Sequence, residues 1–184
     1  MSNIAMQGGA TGTGTVTLLA PSTSTNRTIN LPDSNGTILT TATAGVPVNG
    51  PAFSAYKSAT QSLSAATNTK IVFQAEEFDT NSCFDTSTSR FTPTVSGYYQ
   101  VTSCVSPLAG AYSNVAIYKN GSLAKEGVQT SGGGDYLYKA TVNALVYCNG
   151  STDYLEIYAY GGSANTLTAS STGNFFQAAM VRAA

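Results

Sequence analysis

The sequence has no histidine and no tryptophan, and only 9% of its 184 residues are charged. A chain without histidine cannot build a Ser-His-Asp or Cys-His site, and it cannot complete a mixed Cys/His zinc centre. General acid–base chemistry would fall to carboxylates alone, and Glu76, Glu77, Asp79 and Asp85 cluster in sequence. A glycan hydrolase needs two carboxylates at a defined gap, but no tryptophan is present to grip a sugar, so catalysis is not expected. The eight basic residues are scattered and the net charge is −1. A nucleic-acid partner needs clustered Lys and Arg, so none is expected. No apolar run approaches the roughly 18 residues of a membrane helix, which argues against membrane insertion. The opening MSNIAMQGGATGTG has neither a basic nor an apolar stretch of the secretory kind.

The three cysteines, Cys83, Cys104 and Cys148, are odd in number and widely spaced. They read as buried free thiols rather than a disulfide or metal set. What fills the chain instead is Thr, Ser, Gly and Ala, with eleven tyrosines. Charge normally makes up about a quarter of a globular protein. A surface kept soluble by hydroxyls and amides permits large uncharged contacts between subunits.

Residues 1–45 lack aromatics and hold two short strand-like pieces, TVTLLAP and RTINLPDSNGTILTT. Asp33, Ser34, Asn35 and Gly36 form a strong turn signal between the halves of the second piece, so a hairpin is expected there. Two short strands cannot stand alone. This extended segment must lean on other copies of itself or on a partner, through Leu18, Leu19, Pro21, Ile29, Leu31, Pro32 and Ile38. Residues 46–51 read as a linker and 52–184 as the folded domain. The pattern there predicts ten strands, near 52–56, 70–74, 83–85, 90–92, 97–106, 113–119, 122–129, 136–147, 153–160 and 174–182, with no helical periodicity. Asn120 and Gly121 predict a two-residue hairpin, and Asn149 and Gly150 a longer turn. Many short strands with evenly spaced turns imply an all-β sandwich or jelly roll.

One stretch resists the usual pattern. In GYYQVTSCV, Tyr99, Val101, Ser103 and Val105 share one face of a strand, while Tyr98, Gln100, Thr102 and Cys104 share the other. A strand over a single core should show water a charged face; this second face has none.

From Ala52 onwards the sequence resembles the globular head domain of the C1q/TNF superfamily. The resemblance rests on AFSA at 52–55, Val72 and Phe73, Asn81, Phe84 and Asp85, Thr88, Phe91 and Thr92, and Gly97, Tyr99 and Val101. It continues in the Asn120-Gly121 hairpin, in ALVYCNGSTDYLEIYAY and in the closing FFQAAMVRA. Ser89 stands where the family usually has glycine, which puts one turn in question. The stretch Gly150 to Asp153 lengthens a family Gly-Asp loop. The resemblance implies a ten-stranded jelly-roll sandwich assembled as a homotrimer, with GYYQVTSCV on the sheet nearest the threefold axis. Tyr98, Gln100, Thr102 and Cys104 would then face neighbouring subunits.

Some members of the family carry calcium near the trimer top. The acidic cluster with Asn81 could supply oxygen ligands, but no loop has EF-hand spacing and no cofactor is expected. Tyr138, Tyr147, Tyr154, Tyr158 and Tyr160 read as core or subunit contacts. Tyr112 and Tyr136 lie nearest loops and are candidates for apical recognition. The segment LLAPSTSTNRTINLPDSNGTILTT resembles pieces common in bacteriophage tail and fibre proteins. Together the two resemblances imply a virion surface protein, a head fibre or decoration spike assembled in a host cytoplasm. Its partners would be itself, other capsid or tail proteins, and a host-surface glycan or protein. A tail-fibre receptor-binding tip is the nearest alternative; a carboxylate-based glycan hydrolase or a secreted TNF-like ligand is the alternative of another class.

Overall fold

The computed structural model describes residues 50–110, 112–131 and 137–184. Tyr136 and the attachment residues Leu18, Leu19, Pro21, Ile29, Leu31, Pro32 and Ile38 lie outside the described residues. Among those described there are fourteen strand segments and no helix. The first seven are β1 (Ala52–Lys57), β2 (Gln61–Leu63), β3 (Thr69–Lys70), β4 (Ala75–Asp79), β5 (Phe84–Asp85), β6 (Arg90–Phe91) and β7 (Ser96–Ala109). The rest are β8 (Tyr112–Lys119), β9 (Ser122–Glu126), β10 (Thr130–Ser131), β11 (Leu137–Asn149), β12 (Leu155–Gly161), β13 (Asn165–Leu167) and β14 (Ser170–Ala183).

A five-stranded antiparallel sheet runs in the order β11-β7-β14-β1-β4. A second sheet runs β10-β8-β12-β6-β5, with β9 joining β8 and β3 joining β12. The small pair β13-β2 completes the set. The two large sheets pack as a sandwich over one core cluster. Its centre is Phe53 of β1, which stacks on Phe84 (4.7 Å) and Phe91 (4.6 Å) and meets Phe176 edge-on (4.8 Å). Phe53 and Phe176 come from one sheet, Phe84 and Phe91 from the other. This aromatic group therefore pins sheet to sheet, in geometries the ring quadrupole favours.

The period-two reading of GYYQVTSCV holds along most of β7. Tyr99, Val101, Ser103 and Val105 are fully buried, whereas Tyr98 and Gln100 are exposed and Thr102 is half-buried. The Tyr99 hydroxyl donates to the Val95 carbonyl at 2.6 Å, so its polar end is satisfied. The Asn120-Gly121 hairpin between β8 and β9 also forms as expected, with both residues at positive φ (53° and 77°).

The expected strand at 70–74 is displaced. β3 ends at Lys70, and residues 71–74 cross from one sheet to the other before β4 begins at Ala75. Ile71 and Phe73 are still buried, which is why the apolar alternation read as a strand. Their backbone is satisfied differently. Ile71 N–H donates to Ile157 O, Val72 N–H to the Gln61 side chain, and Phe73 N–H to Ser89 Oγ. The same Gln61 donates to Lys70 O at 2.7 Å and accepts from the buried Lys57 ammonium at 3.0 Å. Desolvation lowers the Lys57 pKa to about 8.

Ser89 answers the question its sequence position raised. Its φ is +49°, so the turn keeps the left-handed geometry that glycine would adopt freely. The serine is buried, and its hydroxyl accepts from Phe73 N–H at 2.8 Å and donates to Phe73 O at 3.3 Å. These bonds offset a left-handed strain of about 1–2 kcal/mol. We expect Ser89→Ala to destabilise the domain by about 1–3 kcal/mol, because a buried N–H is orphaned. Ser89→Gly should be less harmful by about 1 kcal/mol, because it relieves the strain. Urea midpoints at unchanged slope measure both; an alanine variant as stable as the parent would contradict the account.

Candidate functional site

Strand alternation turns five large apolar or aromatic side chains of the five-stranded sheet, or of its edge, toward solvent. Phe78, Tyr98, Leu145, Tyr147 and Val181 are 51, 42, 50, 42 and 54% exposed. Among the described residues, β7 carries no Lys, Arg, Asp or Glu; β11 and β14 carry one cation each, Lys139 and Arg182, near strand ends. Tyr98 and Tyr147 are direct cross-strand partners with ring centroids 5.5 Å apart. Beside them Gln100 Nε2 donates to Asn143 Oδ1. Two shallow hollows lie on this face. One, of about 240 Å³, is floored by Phe78, Gln100, Thr102 and Gln177; the other, of about 660 Å³, by Tyr98, Leu145, Val181 and Arg182.

Of the four β7 residues expected to face a neighbour, Tyr98, Gln100 and Thr102 lie on this surface. Cys104 does not present itself there, and the expectation is corrected: the residue is 1% exposed. Its cross-strand neighbours are Thr141 and half-buried Phe175, and burial raises its thiol pKa. All three cysteines are buried free thiols.

The other sheet shows solvent a different chemistry. On its outward face Tyr118 of β8 and Tyr158 of β12 stack at 4.0 Å, with Tyr160 further along β12. Tyr154, just before β12, lies under the Arg90 guanidinium at 4.1 Å. Tyr154, Tyr158 and Tyr160 are thus neither core nor part of the uncharged face. They are half-buried against each other and against charged neighbours. Tyr112 opens β8 and is 57% exposed.

Two ionic clusters were not readable from sequence. Glu156 is 2% exposed and accepts from Lys70 Nζ and from Arg90 Nε (2.8 Å). Burial alone would raise its carboxyl, but the two cations hold its pKa below the ordinary range. Asp153 binds Lys119 (2.7 Å), the Asn120 side chain (2.7 Å) and Asn149 N–H (2.9 Å). Here too desolvation opposes the charge, and Lys119, Asn120 and Asn149 outweigh it. Asn120 Oδ1 in turn accepts from Tyr154 N–H, and Asn149 Oδ1 accepts from the N–H groups of Ser151, Thr152 and Asp153. The lengthened Gly150 to Asp153 loop is therefore tied to the neighbouring hairpin. Gly150, at φ +75°, sits where a Cβ would meet Ser96 N at 2.2 Å. Lys119 also donates to Tyr147 O and lies 5.3 Å from that ring's centroid, which links this knot to the uncharged face.

The acidic cluster takes a local role. Glu76, Glu77 and Asp79 lie on edge strand β4. Glu77 accepts from Ser54 Oγ, and Asp79 accepts from the N–H groups of Asn81 and Phe84. Asp85 accepts from the side chains of Ser87 and Thr88 and from Ser87 N–H, which together lower its pKa to about 2. These carboxylates shape turns and an edge. Among the described residues, no group of three or more His, Cys, Asp or Glu is placed to hold a metal ion.

No family model and no curated protein matches this sequence. The fold has close counterparts among solved structures. The globular domain of zebrafish complement 1qA superposes with a TM-score of 0.58 at 14% identity, covering 74% of this chain and all of that one. Eiger TNF from S. frugiperda superposes at 0.60 and 11%, covering 74% and 96% respectively. Murine APRIL superposes at 0.55 and 11%, covering 72% and 100%. The domain is thus a C1q/TNF-type jelly roll, in agreement with the sequence reading.

The Glu156 cluster makes a defined contribution to acid stability. A carboxyl whose folded pKa is lowered stabilises fully above its unfolded value, 4.5, and loses that contribution as pH falls through the folded value. Glu156→Gln should cost about 1–3 kcal/mol at neutral pH and leave a shallower fall in melting temperature below pH 4.5. A variant whose acid profile merely parallels the parent's would exclude this role.

Proposed function

We propose that this chain is a homotrimeric display module whose work is binding and assembly, not catalysis. The observation that carries the reading is the outward face of the five-stranded sheet, rich in apolar and aromatic side chains and poor in charge. Five large apolar or aromatic side chains and a Gln100–Asn143 amide pair occupy it. Exposed apolar surface of this kind marks an interaction site, and closed rotational symmetry buries one such patch per copy. The aromatics would supply most of the association energy at the centre. The likeness to C1q and TNF domains supports the same reading.

The module's setting in this proposal is a bacteriophage virion. Residues 1–45, with their resemblance to tail and fibre segments, dock the trimer to a capsid or tail protein, and the jelly-roll head projects outward to meet the host surface. No cofactor enters this reading. A secreted ligand of the TNF kind would share the head but would have no use for a docking segment.

Light scattering should give a mass near three chains of 18.9 kDa each. Tyr98→Lys should shift that mass toward one chain with the β-sheet spectrum intact, whereas Tyr99→Lys, at a fully buried position, should abolish folding. Equal effects of the two changes would refute the division into core and contact faces. Separately, a protein lacking residues 1–45 should remain a folded trimer that is absent from purified particles. Incorporation at the parental level would sink the docking assignment.

A further inference from the structure

On the sheet opposite the uncharged face, an open groove of about 400 Å³ is lined by Asn68, Tyr112, Asn114, Glu126, Gln129 and Tyr160. Its walls are two phenol rings, three amides and one carboxylate. None of these six residues is aliphatic and none is Lys or Arg. We propose that this groove binds a neutral saccharide.

The lining decides the ligand class. A protein contact centres on clustered apolar anchors that desolvate together, whereas here two tyrosines stand among four amide and carboxylate groups. A phosphate, sulfate or sialic acid would need a cation, and the one charge facing the groove is negative. A pyranose matches both parts of the lining. Its flat C–H face is apolar and can lie on a tyrosine ring, as mixed apolar and polar aromatic sites allow. Its rim of hydroxyls can donate to the Glu126 carboxylate and to amide oxygens, and accept from the amide N–H groups. Two aromatic rings set among a few fixed polar groups supply both elements that a small-ligand site needs, a face to lie on and groups that set orientation.

The polar groups are also held in place. Asn114 of β8 lies directly across from Tyr160 of β12. The Asn114 Nδ2 group donates to Glu126 Oε1 at 2.5 Å, which fixes the orientation of both side chains. The Tyr112 carbonyl accepts from Gly162 N–H at 2.8 Å, so the strand end that carries the exposed ring is tied to the β12 side of the groove. Between these outward residues, Ser113 and Val115 are buried and root β8 in the sandwich. Sites on strands anchored in this way keep their geometry better than sites on loops.

The groove deepens the reading of the chain as a display module, and only its threefold repetition rests on that reading. Assembly through the uncharged face leaves the opposite sheet open. Three weak sites on one rigid particle then gain avidity on a glycan-bearing surface.

The test is saturation-transfer NMR on the purified full chain with glucose-, galactose-, mannose- and N-acetylglucosamine-terminated oligosaccharides at millimolar concentration, and with sialyllactose as the anionic probe. The expected result is transfer to at least one neutral saccharide. It should weaken about tenfold or more in Kd, some 1.4 kcal/mol, in Tyr112→Ala and in Asn114→Leu, and persist in Ser171→Ala, at an exposed position on β14 of the opposite sheet. Lack of transfer to every neutral probe overturns the proposal. So does transfer to sialyllactose alone, or transfer that survives both groove variants. Light scattering on the same samples separates the two readings: a monomer that still binds a neutral saccharide supports the groove and refutes the trimer.

Discussion

The packing of Phe53 against Phe84, Phe91 and Phe176 is the contact on which the rest of the molecule depends. Each ring comes from a different strand, and the four strands belong to two sheets that share no hydrogen-bonded ladder. Backbone pairing builds each sheet but cannot hold one against the other. Only side-chain burial does that, and aromatic rings bring the largest apolar area per residue. Once Phe53 and Phe176 point inward, period-two alternation fixes the direction of the side chains on β1 and β14 up to the bulges at Tyr56/Lys57 and Met180/Arg182. By register it also fixes those on β7 and β11. The identity of the outward faces is therefore a consequence of the core, not an independent design.

Those two outward faces then diverge in chemistry. The five-stranded sheet shows tyrosine, leucine, valine, phenylalanine and amides with little charge. The seven-stranded sheet shows tyrosines interleaved with Glu156, Arg90, Glu126 and amides. With so few ionisable residues, the chain spends them on structure. Lys70 and Arg90 close around Glu156, and Lys119 closes around Asp153, which ties together the turns at Asn120 and Asn149. The Asp79 and Asp85 carboxylates shape their own turns. Ser89 does the same work without charge, trading backbone strain for two hydrogen bonds to Phe73.

Much of this was legible in the sequence because strands announce themselves by local alternation. The two faces of β7 followed from Tyr98 and Tyr99 alone, and Asn120 with Gly121 announced its hairpin. The errors have physical causes. Residues 71–74 alternate like a strand because Ile71 and Phe73 are buried, yet the segment is a crossing whose backbone bonds go partly to the Gln61 and Ser89 side chains. Cys104 has outward parity and is nonetheless covered by its neighbours. Tyr154, Tyr158 and Tyr160 have the parity of a contact face but lie on the other sheet, because parity does not say which sheet a strand joins. Glu156 carried no local signal at all: Lys70 and Arg90 stand 86 and 66 residues away in the chain. The groove at Tyr112 likewise assembles residues from both sides of β8, so only Tyr112, an aromatic beside a loop, could be singled out from the sequence.

The structural likeness to complement and TNF domains, at 11–14% identity, sharpens what the sequence does specify. At that identity the shared content is the sandwich: its strand order and its apolar interior. The outward residues belong to this chain. On the proposed contact face, rings and amides outnumber ions, so association there would draw its free energy mainly from apolar burial and hydrogen bonds rather than from long-range charge. Salt screens charge–charge attraction but leaves such contacts largely untouched. Among the described residues the ion pairs sit where a carboxylate is enclosed, at Glu156 and Asp153. There, burial makes each pair costly to form but still more costly to break, so these charges act as fasteners that tie distant turns and strands of the domain together.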